Sequence, residues 1–330
     1  MMPPRPEVRT FLDRCAPGAR IEAVAGDVSS RKFYRIYPQR GETLILMDYG
    51  RPFAGASDDM LLGAIFRRAG LPVAEVREAG GDVGCVLLED LGPDTLQSVL
   101  EGAIDRDRRL ALLEEAARLA ARVAARGTPV LAGCEQLRDR TLDAERFRFE
   151  MDYFLEHFVT GFRGRASAPP ALRDALYELA DAIDQPAFRV FCHRDFHSRN
   201  LMVLSGDRLA MVDIQDARLG PDSYDLASLI RDAYIDVDEA EVERLIETFL
   251  DELPDSPDAE TFSVRLRRVQ AQRMIKALGT FGFQVSVRQA NAFRVPISRT
   301  LARLRSTFRA CEETRPLSDR LVREGLLEDP

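Results

Sequence analysis

The pattern of apolar and polar positions changes character twice along the chain. Residues 5–14 (RPEVRTFLDR) space their apolar side chains as on one helix face, and Pro17-Gly18 closes the segment. IEAVAG (21–26), KFYRIYP (32–38) and TLILMDY (43–49) are short runs of β-formers separated by turn residues, which predicts three antiparallel strands. SDDMLLGAIFRRAG (57–70) returns to helical spacing, with Ser57 as N-cap and Gly70 as the stop. VAEVREA (73–79) and GCVLLEDL (84–91) predict two further strands.

From residue 94 the pattern is helical. RDRRLALLEEAARLAARVAARG (106–127) repeats apolar positions at helical spacing and is expected to end at Gly127, with Pro129 beyond. Helices are also predicted at 141–159 and 170–185, the latter opened by Pro169-Pro170. Strand character reappears in FRVFC (188–192) and LAMVDI (209–214), on either side of a polar loop. Helices near 222–235, 239–252, 258–279 and 297–312 follow, and then a charged tail. No internal repeat or low-complexity linker interrupts the chain. The fold class is α+β: a small antiparallel β domain over residues 1–92 and a mainly helical domain over 93–330, with the boundary in LEDLGPD (88–94).

Composition narrows the function. Lys plus Arg is 46 and Asp plus Glu is 54, a net charge of −8, and no basic cluster gives the footprint of a nucleic-acid binder. The five cysteines are scattered without CxxC spacing, so neither a disulfide framework nor a zinc ribbon is suggested. No run approaches the ~20 apolar residues that cross a bilayer, and MMPPRPEVRTFLDRC lacks the apolar core of a signal peptide. A reduced, cytoplasmic enzyme without a membrane partner is expected. Lys32 and Lys276 are the only lysines.

The densest chemistry lies in FCHRDFHSRNLMVL (191–204), followed by LAMVDIQDA (209–217). A strand delivers His193-Arg194-Asp195 into a loop, Asn200 follows five residues after Asp195, and a second strand presents Asp213. Phosphoryl transfer needs these groups: one carboxylate to orient the attacking hydroxyl and take its proton, and an amide oxygen and a second carboxylate to hold Mg²⁺ against the phosphates. The spacing matches the HRD-x-x-x-x-N catalytic loop of kinases. A polar turn capped by Asp195 and Asn200 is the plain structural alternative. His193 and His197 stand four apart on a loop without a cysteine cluster, which argues against zinc.

These motifs, with VDIQDARLGPDSYDLASLIRDAY and the strand-rich first domain, resemble the aminoglycoside phosphotransferase/choline kinase superfamily over about residues 20–300. The resemblance implies a protein-kinase-like bilobal fold, ATP and Mg²⁺ as cofactors, Asp195 as catalytic base, and Asn200 and Asp213 as metal ligands. It also implies that Asp225 braces the catalytic loop, with His193 packed inside it. GDVSSRKFYRI, LILMDYGRPF, LLEDLG and QRMIKALGTFG are similar, more narrowly, to the anomeric N-acetylmuramate/N-acetylglucosamine kinases of peptidoglycan recycling. That implies a small amino-sugar substrate, a sugar 1-phosphate product, and a downstream sugar-1-phosphate nucleotidyltransferase in the pathway without a stable protein partner. Two alternatives stay open: another small-molecule kinase with an aminoglycoside or choline/ethanolamine acceptor, and a non-catalytic kinase-fold protein.

The chain departs from the kinase pattern on its third strand. Leu44-Ile45-Leu46-Met47 stands where V-A-I-K places a phosphate-binding lysine. Arg31 or Lys32 is the expected substitute, with Ser29 and Ser30 as phosphate donors in the preceding loop. Glu89 and Leu91 are expected at the adenine-reading hinge. His197, Arg199, Gln215, Arg273 and Lys276 are the candidate acceptor residues, with Arg273 or Lys276 at a solvent-facing mouth.

Overall fold

The computed structural model describes residues 3–24, 31–255 and 257–329. The chain divides into two compact units, the first made of Met1–Asp94 and Met202–Gln215, the second of Thr95–Leu201 and Asp216–Pro330. The return of residues 202–215 to the first unit has no counterpart in the two-block reading of the sequence.

The first unit opens with helix α1 (Pro6–Cys15) and strands β1 (Arg20–Val24), β2 (Lys32–Tyr37) and β3 (Leu44–Asp48). Helix α2 (Asp58–Arg68) and strands β4 (Val76–Gly80) and β5 (Cys85–Glu89) follow. The sheet order is β1-β2-β3-β5-β4, with every neighbouring pair antiparallel. Strand alternation buries Tyr34, Ile36, Leu46, Cys85 and Leu87 against Val8, Phe11 and Leu12 of α1. Arg5, just ahead of α1, fixes that helix to the sheet by donating to Oδ1 of Asp48, which is 1% exposed, at 2.7 Å. Ser57 caps α2 by accepting from the Met60 amide.

The second unit begins with α3 (Leu96–Glu101) and α4 (Arg106–Arg122), and a π-helical turn (Val123–Gly127) leads into α5 (Thr128–Ala132). The helix expected to end at Gly127 thus continues. Pro129 sits in the first turn of α5, where a missing N–H costs nothing. Gly127 is needed because a Cβ there would lie 2.3 Å from the Phe191 ring. Next come α6 (Ala144–Phe154), with a π-helical extension over Leu155–Phe162, α7 (Pro170–Ile183) and β6 (Arg189–Cys192). The hairpin β7 (Leu201–Val203) and β8 (Leu209–Met211) carries the chain through the first unit, where the Val203 and Met211 amides bond the carbonyls of Asp94 and Pro72.

The remainder is β9 (Arg218–Pro221), which pairs antiparallel with β6, then α8 (Tyr224–Ile230), α9 (Glu239–Glu252), α10 (Ala259–Ser286), α11 (Arg294–Arg309) and α12 (Arg315–Arg323). Helix α10 runs past the expected stop at residue 279. Its Gly279 and Gly282 are close-contact positions: added Cβ atoms would fall 2.9 Å from Phe154 Cα and 2.6 Å from the His157 carbonyl oxygen. The expected charged tail contains α12, which opens with a proline in its first turn and buries Leu317 and Leu321. No helix among the described residues is long and apolar enough to cross a membrane.

Candidate active site

In the second unit, β6 is held by β9 and delivers His193-Arg194-Asp195 at its end. Arg194 adopts φ 78°, a left-handed conformation that a non-glycine residue keeps only when its surroundings impose it. The Asp225 carboxylate, in the first turn of α8, supplies that constraint by accepting the amides of His193 at 2.7 Å and Arg194 at 2.9 Å. His193 is fully buried, its ring edge-on to Phe196. Asn200 Nδ2 donates to the Asp195 carbonyl at 2.9 Å, and the His197 amide donates to the same oxygen at 3.0 Å. Asp232 closes the loop from the other side, accepting the amides of Ser198 and Tyr234 at 2.7 and 2.8 Å.

The Asp195 side chain keeps 25% exposure, and Lys276 Nζ on α10 lies 3.4 Å from its Oδ1. Burial works to raise the Asp195 pKa, but Lys276, Arg194 and Arg273 outweigh it and hold the carboxyl well below the usual range. Arg273 donates to the Arg194 carbonyl at 2.7 Å and lies over the Tyr224 ring, so it braces the loop. A pocket of about 230 Å³ opens beside Asp195, lined among others by His197, Arg231, Tyr234, Lys276 and Phe281. Of the five expected acceptor residues, His197, Arg273 and Lys276 line it. Arg199 does not: it bonds Gln97 and lies over the Tyr234 ring. Gln215 belongs to the first unit and is also absent from that lining.

The first unit holds the other expected groups. Asp213 follows β8 at φ 62°, with a side chain 40% exposed. Arg31 donates from Nη2 to Asp213 Oδ1 and from Nη1 to Asp59 Oδ1, both at 2.8 Å, and Nη1 lies 3.7 Å from the sulfur of Met47. A guanidinium therefore lies against the third-strand side chain that stands in the lysine position, paired with an acid on α2. Tyr49 donates to the second oxygen of Asp59 at 2.6 Å. Lys32 is exposed at the start of β2. Ser29 and Ser30 lie outside the described residues. At the expected hinge, the Glu89 amide donates to the Glu75 carbonyl, the Glu89 carboxylate accepts the Glu75 amide, and Leu91 is half-buried just past β5. Asp90 is held by Arg35 at 2.7 Å.

Asn200 in the second unit and Asp213 in the first each carry a hard oxygen donor of the kind Mg²⁺ takes. The Asn200 amide nitrogen is engaged, which leaves its carbonyl oxygen as the acceptor, and the Asp213 carboxylate already faces a positive charge. Among the described residues no group of three or more His, Cys, Asp or Glu side chains could hold a metal ion. Sequence reasoning missed Asp59, Glu150 and Asp232. The lysine gap on the third strand was a signal for an unusual partner on α2, whereas Glu150 sits in an ordinary helical stretch that carries no local sign.

Comparison with known proteins agrees with this architecture. An N-acetylmuramate/N-acetylglucosamine kinase from Neisseria meningitidis is 29% identical over 307 residues, covering 90% of this chain and 88% of the relative. Another of the same name from Pseudomonas aeruginosa is 28% identical, covering 80% and 77%. Among solved structures, a choline/ethanolamine kinase family protein from Mesorhizobium loti superposes with a TM-score of 0.62 at 15% identity, covering 95% of this chain and 98% of that one. An ADP-bound aminoglycoside phosphotransferase gives 0.61 at 10% identity, covering 92% and 99%. The fold, a small antiparallel sheet followed by a mainly helical remainder, is the protein-kinase-like fold of those enzymes. The chain belongs to the phosphotransferase enzyme family (APH), whose model matches residues 20–260.

Proposed function

We propose that the protein transfers the γ-phosphoryl group of ATP to the anomeric hydroxyl of N-acetylmuramate and N-acetylglucosamine, giving sugar 1-phosphates. The observation that carries this reading is the pocket of about 230 Å³ in the second unit, with the Asp195 carboxylate on its wall and Lys276 beside it. The names of the relatives, each similar to this chain over most of its length, support the acceptor.

Asp195 orients the acceptor hydroxyl and takes its proton. The carboxyl is a weak base in this setting, held anionic by its cationic neighbours. That suffices, because a loose phosphoryl-transfer transition state needs little early deprotonation of the nucleophile. The anomeric hydroxyl is also more acidic than an ordinary alcohol. Asn200 and Asp213 are the residues that would hold Mg²⁺, which when bound neutralises phosphate charge. Arg31 is the residue of this chain suited to bind phosphate through its planar fork, with Asp59 fixing its direction.

The pocket chemistry favours a neutral or acidic sugar over a cationic acceptor. A cation would call for free carboxylates or open aromatic faces, and here Arg199 already covers the Tyr234 ring while Phe281 packs against Phe293. The carboxylates lining this pocket are Asp195, paired with Lys276, and Asp232, whose oxygens accept backbone amides. The lining cations are all engaged, Arg273 by the Arg194 carbonyl, Lys276 by Asp195 and Glu150, and Arg231 by the exposed Glu239, so a lactyl carboxylate would meet Arg231 in exchange for that surface pair.

The test is phosphorus NMR of the product after incubation with ATP, Mg²⁺ and N-acetylglucosamine, N-acetylmuramate or the N-acetylglucosamine 1-O-methyl glycoside. A sugar 1-phosphate with glycosidic coupling is expected from the two free sugars and no product from the glycoside. Phosphorylation of the glycoside at the rate of the free sugar rules out the anomeric acceptor. ATP consumption absent with every sugar, aminoglycoside and choline would favour a non-catalytic protein.

A further inference from the structure

Glu150, in α6, has a side chain only 7% exposed. A buried carboxylate costs several kcal/mol unless it is paired and hydrogen-bonded, so its partners indicate its purpose. Its Oε1 accepts from Arg194 Nη2 at 2.9 Å and faces Lys276 Nζ at 3.9 Å, and its Oε2 accepts from Gln272 Nε2 at 2.6 Å. Arg194 in turn bridges Glu150 and Asp216, the latter at 3.0 Å, which restrains the whole group. Lys276 therefore stands between two carboxylates, Asp195 at 3.4 Å and Glu150 at 3.9 Å.

We infer that Glu150 is a positioning residue that keeps the Lys276 ammonium charged and directed at the reaction centre while Asp195 takes up the substrate proton. The inference rests on the reading of Asp195 as the base. In the transfer, the acceptor O–H proton passes to an Asp195 carboxylate oxygen, and the acceptor oxygen forms a bond to the γ-phosphorus. The bond from that phosphorus to the β–γ bridging oxygen breaks, and its electron pair leaves with ADP. Asp195 is then neutral, and Lys276 has lost the charge of its nearer partner. With no second anion, a half-buried ammonium would be left unpaired as the new bond forms. Glu150 is bound to Arg194 and Gln272 and keeps its negative charge throughout. Lys276 thus remains a fixed cation beside the transferred group, where preset positive charge lowers the barrier.

Steady-state kinetics of Glu150→Gln, Lys276→Gln and the double variant test this. Glu150→Gln is expected to lower kcat by about 10–100-fold with the KM for ATP within about twofold, a split expected of a group acting in the transition state. The double variant should be no slower than Lys276→Gln, because Glu150 acts through that lysine. Losses that multiply, or an unchanged kcat in folded Glu150→Gln, overturn the inference. If Glu150→Gln does not fold, Gln272→Met replaces it: a several-fold loss of kcat is expected in the native background and none in the Lys276→Gln background. Equal losses in both overturn the inference. Asp195→Asn measured alongside separates the two levels. Near-native turnover there removes the base assignment itself, whereas a large loss there with multiplying losses in the cycle removes only the role of Glu150.

Discussion

Replacing Arg31 by methionine removes a guanidinium held by two carboxylates, and the structure sets what that should cost. The Arg31 side chain is 12% exposed and its partner Asp59 16%, so this pair is shielded, whereas Asp213 is 40% exposed. The half-exposed Asp213 pair should contribute about 0–1 kcal/mol after solvent screening. The charge-assisted bond to Asp59 should contribute about 1.5–3 kcal/mol, since among the described residues Tyr49 is the strong partner that Asp59 keeps once the guanidinium is gone. Arg31→Met is therefore expected to lose about 2 kcal/mol of stability in urea unfolding. If Arg31 also meets the nucleotide phosphates, losing one charge-assisted contact should lower kcat/KM for ATP by about 10–100-fold while the acceptor KM stays unchanged. Lys32 is exposed, and Lys32→Ala should change stability by no more than about 0.5 kcal/mol and leave ATP kinetics as they were. Asp59→Asn should fall between the two. The assay is the initial rate of ADP release with ATP varied at saturating acceptor, run in parallel on all three variants. A raised KM for ATP in Lys32→Ala with native kinetics in Arg31→Met would refute the reasoning, and native kinetics in both would leave the phosphates to backbone amides and metal.

Asp195→Asn is expected to keep the fold and ATP binding while losing about 10²–10⁴-fold in turnover, read by the same ADP-release assay with a thermal melt as control. Asp213→Ala should raise the Mg²⁺ concentration needed for half-maximal rate, and Asn200→Ala should raise it less. A native Mg²⁺ requirement in both variants would remove the metal assignment. Glu150 gives a pH-dependent stability. Burial raises its pKa, but Lys276 and Arg194 outweigh burial and hold it below its ordinary value. A carboxyl depressed in the folded state contributes stability above its unfolded pKa of about 4.3, and that contribution is lost as pH falls through the folded value. The stability difference between the native protein and Glu150→Gln should therefore be flat near neutral pH and shrink below about pH 4, as measured by urea unfolding.

Much of the fold was legible because its signals are local. The strand runs in 32–38 and 43–49 and the capped helix after Ser57 declare themselves by alternation, β-propensity and an N-cap, each readable within a few residues. The departures have one common cause: a residue type read by its local habit was set by a distant neighbour. Gly127 read as a stop and residue 279 as a helix end, yet Gly127, Gly279 and Gly282 are glycines because another segment approaches too closely for a Cβ: the Phe191 ring, the Phe154 backbone and the His157 carbonyl. Pro129 read as a terminator, yet it opens the next helix, where its missing N–H is harmless. The charged tail folds as α12 because two leucines four apart find a core that no local window reveals.

The candidate site divides along the same line. Asp195, Asn200, Asp213 and Asp225 stand at fixed offsets in one contiguous stretch, because a tight loop between strand ends leaves little freedom in where its functional groups fall. Asp225 was implied by its SYDL context, and its two short bonds to the His193 and Arg194 amides give that implication a physical content: it stabilises a backbone turn that a non-glycine residue otherwise avoids. The charges that tune Asp195 come from elsewhere. Lys276 reaches it from 81 residues away, and Glu150 meets Arg194 across 44 and Gln272 across 122. Long-range pairs of this kind leave no spacing rule in the sequence, because any helix face that reaches the loop can supply them. The missing third-strand lysine is the intermediate case. Its absence was visible at Met47, but the pairing of Arg31 with Asp59 and the exposure of Lys32 were not. Only the structure puts that acid within 2.8 Å of the guanidinium.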